Sequence, residues 1–163
     1  MPLITRIADL CAGWNALYSD STVVSTIVTT VHVLGLLAAG GLAIAADRMT
    51  LRATAADASR VAAELHSVHR PVLFALGALF VSGAALAAAD VETFLVSPLF
   101  WIKMGLVTLL LLNGLGLAQA EARWRRSPEP QPIPWRRLRT HAWASLALWG
   151  ATTVAGTVLV SAA

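Results

Sequence analysis

Charge is scarce in this sequence. Only 13% of its residues are Asp, Glu, Lys or Arg, against about 25% in soluble domains. With 57% hydrophobic residues in a chain of 163, too few charges remain to cover a water-facing surface. That excludes an ordinary soluble domain. Lysine occurs once, as Lys103, and so does cysteine, as Cys11. A lone cysteine forms no internal disulfide and no cysteine metal cluster. Cys11 follows Ala8-Asp9-Leu10, an acidic context that does not suit a lipoprotein acceptor. Gly-rich phosphate loops, internal repeats and a Ser/His/Asp pattern with an activating context are all missing. Hydrolysis and group transfer therefore have no support. The first 20 residues carry Arg6, Asp9 and Asp20 without a long apolar core, so no cleaved signal peptide is expected.

Long apolar runs are what the sequence does have. Thr22 to Ala46 contains no charged residue and, at ~1.5 Å per residue, reaches ~37 Å, enough to cross a ~30 Å hydrocarbon core with tilt. Further runs cover 71–89, 99–119 and 141–160. The expectation is an all-α membrane protein, a single domain built as a four-transmembrane-helix bundle. Residues 2–18 bring Leu3, Ile7, Leu10, Trp14 and Leu17 to helical spacing, with Trp14 and Tyr18 suited to an interface. They predict a short amphipathic helix on the membrane surface. Ser19-Asp20-Ser21 offers an N-cap to the first span. Asp47 to Arg70 is alanine-rich and mixed in charge, and reads as a water-exposed helical extension. Pro71 fits a first-turn position or a slight kink. Asp90 to Pro98 reads as a short acidic loop. Residues 121–139, with prolines at 128, 130, 132 and 134, read as an extended Pro/Arg-rich linker.

Arginines orient the bundle. The 47–70 segment holds Arg48, Arg52, Arg60 and Arg70, and the 121–139 segment holds Arg123, Arg125, Arg126, Arg136, Arg137 and Arg139. The opposite side has Arg6, with Lys103 just inside span three. By the positive-inside rule both arginine-rich segments are cytoplasmic and both termini are outside, in a bacterial inner membrane. The high isoelectric point thus reflects topology, and no nucleic-acid partner is expected.

Six positions lead the list of groups able to carry chemistry: His32, His66, His69, His141, Lys103 and Asn113. Imidazole ligates haem iron and metals, and bundle sites are built from facing helices. His69 and His141 each lie ~20 residues, or ~30 Å, before the outer end of their spans. They match in depth and form the first-choice axial pair for a haem b, with His66 one turn away as a substitute. His32 lies only ~15 Å from the outer end of span one and marks a second site or a quinone-side contact. Met104 is a candidate weak axial partner. His32, Gly35, Ala39 and Ala43 form one stripe of small residues, open either to a flat ring or to a neighbouring helix. On span four, His141, Ser145, Trp149, Thr152 and Gly156 form another.

Plainer readings stand beside these. His66, His69 and His141 also fit a basic interfacial rim. His32 also fits a hydrogen bond to Thr108 or Asn113. Lys103 fits snorkelling outward to Asp90 or Glu92. Asn113 fits helix–helix bonding, and Asp47 fits a salt bridge to an arginine of the rim.

At VHVLGLLAAGGLAIAADR and SPLFWIKMGLVTLLLLN the chain resembles a broad group of small, largely uncharacterised bacterial integral membrane proteins. They carry an early intramembrane His, an Asp-Arg at the end of span one, and a Phe-x-x-Lys plus Asn in span three. In outline the group is similar to copper-resistance D-type membrane domains and to small four-helix b-type cytochromes. The resemblance covers about Thr22 to Asn113 and implies roles for His32, Asp47, Lys103 and Asn113. It leaves three functions: a haem b protein transferring electrons within the bilayer, a non-catalytic subunit or homo-oligomer in a larger membrane complex, and a copper or small-solute permease component. The subunit reading uses a small-residue face at Ala75, Ala78, Ser82 and Ala85.

Overall fold

The computed structural model describes residues 2–54, 57–126 and 135–162. Six helices follow one another: α1 (Pro2–Asp20), α2 (Thr22–Arg52), α3 (Ala58–Ala89), α4 (Val91–Val96), α5 (Pro98–Arg126) and α6 (Trp135–Ala162). The candidate spans Thr22–Arg52, Ala63–Ala89, Pro98–Gln119 and Arg136–Ser161 are long and apolar enough to cross a membrane. The chain is an all-α membrane protein with a four-helix apolar bundle. The prolines at 128–134, expected to form an extended linker, lie outside the described residues.

Burial is organised for lipid. Phe74 (83% exposed), Phe80 and Val160 face outward, while Ala39, Ala75 and Ala142 are buried. Lipid tails are as apolar as leucine, so nothing forces large apolar side chains inward. Close approach of small residues is what holds membrane helices together. Helix α2 packs on α3 along one side and on α6 along another, and α5 packs on α6. Ala39, Ala75, Leu110 and Trp149, one from each spanning helix, form the middle of the core. A second cluster, Ala46, Val61, Leu65 and Leu138, closes the arginine-rich end.

Several expected boundaries shift. The segment after Asp47 is not one continuous extension: α2 runs to Arg52 and α3 starts at Ala58. Between them the Thr54 backbone N–H and hydroxyl both donate to Asp57 Oδ2, at 3.0 and 2.9 Å. Those bonds, backbone first, hold the Asp57 carboxyl below its ordinary range. Pro71 sits inside α3, not at its start. Its missing N–H is tolerated because the helix is carried past it by packing on α2. The expected acidic loop is largely the helix α4, capped by Asp90, whose carboxylate accepts from the Thr93 N–H at 3.2 Å.

The Ser21 cap forms as expected, its hydroxyl accepting from the Val24 N–H at 3.3 Å. Helix α1 forms too, and it leaves an apolar side uncovered by the protein. Leu3, Leu10 and Leu17 are exposed, while Ile4, Ile7, Cys11, Trp14 and Tyr18 face the protein more closely. Polar tips decide the seating. The Trp14 indole donates to the Ala85 carbonyl at 2.8 Å, and the Asn15 amide donates to the Ala89 carbonyl. The Asn15 bond satisfies a last-turn carbonyl of α3 that has no partner within the helix, and the Trp14 bond adds to a carbonyl one turn earlier.

Candidate functional site

Two histidines are held inside the bundle, each by a polar group on a neighbouring helix. In α2, His32 Nδ1 lies 3.0 Å from Ser82 Oγ of α3. Ser82 gives its hydroxyl proton to the Ala78 carbonyl at 2.6 Å, so it accepts from the ring, which makes Nδ1 the protonated nitrogen. Room for the ring comes from Gly83. A Cβ there would sit 3.2 Å from His32 Cε1. The expected partner, Thr108 or Asn113, is thereby corrected. Thr108 turns back to the Met104 carbonyl at 2.8 Å, and Asn113 is engaged elsewhere.

That engagement is with His141. Asn113 Oδ1 accepts from His141 Nδ1 at 2.8 Å, and Asn113 Nδ2 donates to the His141 carbonyl at 3.0 Å. Gly116, one turn along α5, gives the ring its seat, since a Cβ there would come 3.1 Å from Cε1. Among the described residues Nε2 of His141 has no hydrogen-bond partner. His66 and His69 are exposed on α3, and α2 stands between α3 and α6. Among the described residues no contact joins His69 to His141, and no three His, Cys, Asp or Glu side chains converge as a metal set would. Met104 is half-buried on α5 beside Lys103.

Lys103 does not pair with Asp90 or Glu92. Its side chain runs half-buried along α6, where a Cβ on Gly156 would lie 3.7 Å from both Cε and Nζ. It is near enough to act electrostatically on His32. Lysine and histidine thus share one end of the bundle interior, reached from α5 and α2.

At the other end, Asp47 is 4% exposed. It makes no salt bridge with the arginine rim. The one ion pair among the described residues joins Asp57 and Arg60. The Ser145 side chain of α6 is instead the polar group beside its carboxyl, and its Oδ2 is buried with no partner.

A second buried oxygen is orphaned, Thr152 Oγ1. Thr50, Thr108, Thr140, Thr153 and Thr157 all donate to the carbonyl four residues back. Thr152 does not. Native interiors leave few such atoms unpaired, and each calls for water, an ion or a function.

The stripe His141, Ser145, Trp149, Thr152 and Gly156 turns inward as its spacing requires, with Ser145, Trp149 and Thr152 buried. Antiparallel α2 and α6 set Ser145 against Asp47 and Trp149 against Gly40, where a Cβ would sit 3.3 Å from the indole Cε3. The Trp149 indole therefore lies between the Asp47–Ser145 pair and Thr152. Small residues on α2 serve neighbouring elements. Gly35 admits Leu79 of α3, and the flat ring admitted at Gly40 is this indole. The Ala75 and Ser82 face of α3, the expected partner surface, is buried inside the chain.

Sequence reasoning missed Ser82 as the partner of His32, and Gly40, Gly83 and Gly116 as seats for rings. The signal was there for the last two: a glycine on each facing helix at the depth of a histidine. No protein family, no curated protein and no solved structure matches this chain.

Proposed function

We propose that this chain is a multi-pass protein of a bacterial cytoplasmic membrane, both termini outside, that passes protons along the inward face of α6. It belongs to the permease class of reading, with the proton as the transported species. The observation that carries it is the pair of buried, unpartnered oxygens, Asp47 Oδ2 and Thr152 Oγ1, on opposite sides of Trp149. Intramembrane acids and histidines facing a bundle interior mark proton relays. Polar atoms without protein partners are where single waters sit.

In this reading a proton from the cytoplasm enters at Asp47 Oδ2, with the Ser145 side chain beside the carboxyl. It crosses the apolar layer at Trp149 when that layer wets, as hydrophobic constrictions gate by dewetting. Thr152 passes it outward by taking one proton and releasing its own. His32 receives it at Nε2, because Nδ1 already donates to Ser82. From Nε2 the proton leaves to the outside. A proton path needs no alternating access, which a four-span chain is small to perform.

The test is a pH gradient across vesicles loaded with a pH-sensitive dye. Proteoliposomes dissipate it faster than protein-free vesicles, and Asp47→Asn, which keeps the side chain's shape but takes up no proton, returns the rate to the protein-free level. Wild-type vesicles no faster than empty ones would overturn the proposal.

One observation favours a second reading, a haem b for electron transfer with a quinone as partner. A ligating imidazole gives its second N–H to a fixed acceptor, and Asn113 does this for His141, leaving Nε2 for iron. A reduced-minus-oxidised spectrum after haem addition decides it. An α-band lost in His141→Ala supports this reading; loss in His69→Ala as well makes His69 the second ligand. A protein that stays colourless rejects haem altogether.

A further inference from the structure

A cavity lies away from these groups, where α2 ends and α3 begins. It measures about 570 Å³ and is lined by Ala45, Arg48, Met49, Arg52, Ala53, Asp57 and Arg60. We infer that it is a headgroup site for an anionic phospholipid, with the phosphate taken by Arg48, Arg52 and Arg60.

The charges are unbalanced in the required direction. The single carboxylate in the lining, Asp57, is already engaged by Thr54 and by Arg60 at 3.4 Å. Among the described residues Arg48 and Arg52 have no acidic partner. They stand four apart on α2, so their guanidinium groups project from one face of the helix. Guanidinium forks match the paired non-bridging oxygens of a phosphodiester.

The walls identify the source of the phosphate. Ala45, Met49 and Ala53 give the cavity an apolar side toward the bundle, fit for a glycerol backbone and the start of an acyl chain. Free phosphate has no use for that surface. The volume falls in the range of small-ligand sites. The cavity opens at the arginine-rich end of two spanning helices, where basic pockets meet lipid headgroups. This inference stands on the bilayer reading alone and is independent of the proton path.

The test uses delipidated full-length protein in neutral detergent, titrated with short-chain phosphatidylglycerol and followed by native mass spectrometry. Wild type binds phosphatidylglycerol in preference to phosphatidylcholine. At about fivefold per arginine near a membrane surface, Arg48→Gln with Arg52→Gln weakens it about 30-fold. Arg137→Gln, an exposed arginine of α6 outside the cavity, leaves it unchanged. Equal binding of the two lipids, or a double variant that binds like wild type, overturns the site. Inorganic phosphate displacing the lipid at matched concentration shows a free-anion site and overturns the lipid as its occupant. Circular dichroism confirms that the double variant retains its helices, so lost binding is not lost fold.

Discussion

Trp149→Ala costs the bundle more stability than any other single truncation of its core and raises the proton leak of the proteoliposomes. Trp149 is 6% exposed, lies against Gly40 of α2, and belongs to the buried cluster to which the other three spanning helices contribute Ala39, Ala75 and Leu110. In water much of the cost of losing a core tryptophan would be transfer energy. Here the disassembled helices would still hold the indole in lipid, so most of that contribution cancels. The void remains. Removing an indole leaves a cavity on the order of 130 Å³, and at ~24 cal/mol per Å³ that is about 3 kcal/mol.

For a chain of this size each kcal/mol moves the thermal midpoint by about 2–4 °C, so the expected drop is about 6–12 °C. Trp149→Phe, which keeps a ring over Gly40, loses much less. The leak separates packing from gating. If the indole is the dry layer between Asp47 and Thr152, the alanine variant dissipates the pH gradient faster than wild type while remaining helical. A variant that is merely less stable, with an unchanged leak, removes Trp149 from the path and leaves it as core.

The architecture was legible because the bilayer imposes it. Four long apolar runs, interrupted by a single charge at Lys103, had to be helices, since no other open structure satisfies its backbone in hydrocarbon. Ser21 was readable as a cap for the same local reason. The stripe from His141 to Gly156 was also readable, because 3.6-residue periodicity survives in lipid. What the spacing did not show was which side chains tie α1 to the bundle. In water, Leu3, Leu10 and Leu17 would have to find a core. Beside lipid they need none, and the residues that seat α1 are Trp14 and Asn15, which have hydrogen bonds to make.

The polar pairings were only half legible. That His32, Asp47, Lys103 and Asn113 were unusual followed from their cost inside an apolar run. Their partners depended on the relative rotation of helices, which no single-chain pattern encodes. Depth matching put His69 with His141, yet rotation leaves His69 exposed and turns His141 toward α5. Asp47 was expected to pair with an arginine of the rim. The 100° step between consecutive helix positions turns Asp47 to Ser145 and leaves Arg48 outside, lining the cavity between α2 and α3.

Asn113→Leu has the second large effect, on the α5–α6 pairing. The native amide makes two bonds to one residue, accepting from the His141 ring and donating to its carbonyl. Leucine keeps the volume but leaves the ring N–H without an acceptor beside Gly116. Interhelical hydrogen bonds in membranes are worth about 0.6 kcal/mol on average and up to about 1.7. This pair sits at the high end, because its two bonds share one rigid geometry. The expected loss is about 2–3 kcal/mol, with orphaning of the buried ring donor included. A thermal midpoint about 4–12 °C below wild type would register it. His141→Leu on the Asn113→Leu background then costs little more, since the bond is already gone. A double-mutant cycle with no coupling between the two would show that the amide and the ring act independently, and that the pairing does not hold α5 to α6. Asn113→Asp keeps an acceptor for the ring but loses the donor to the His141 carbonyl. It therefore falls between wild type and Asn113→Leu, and the size of that step measures the share of the backbone bond.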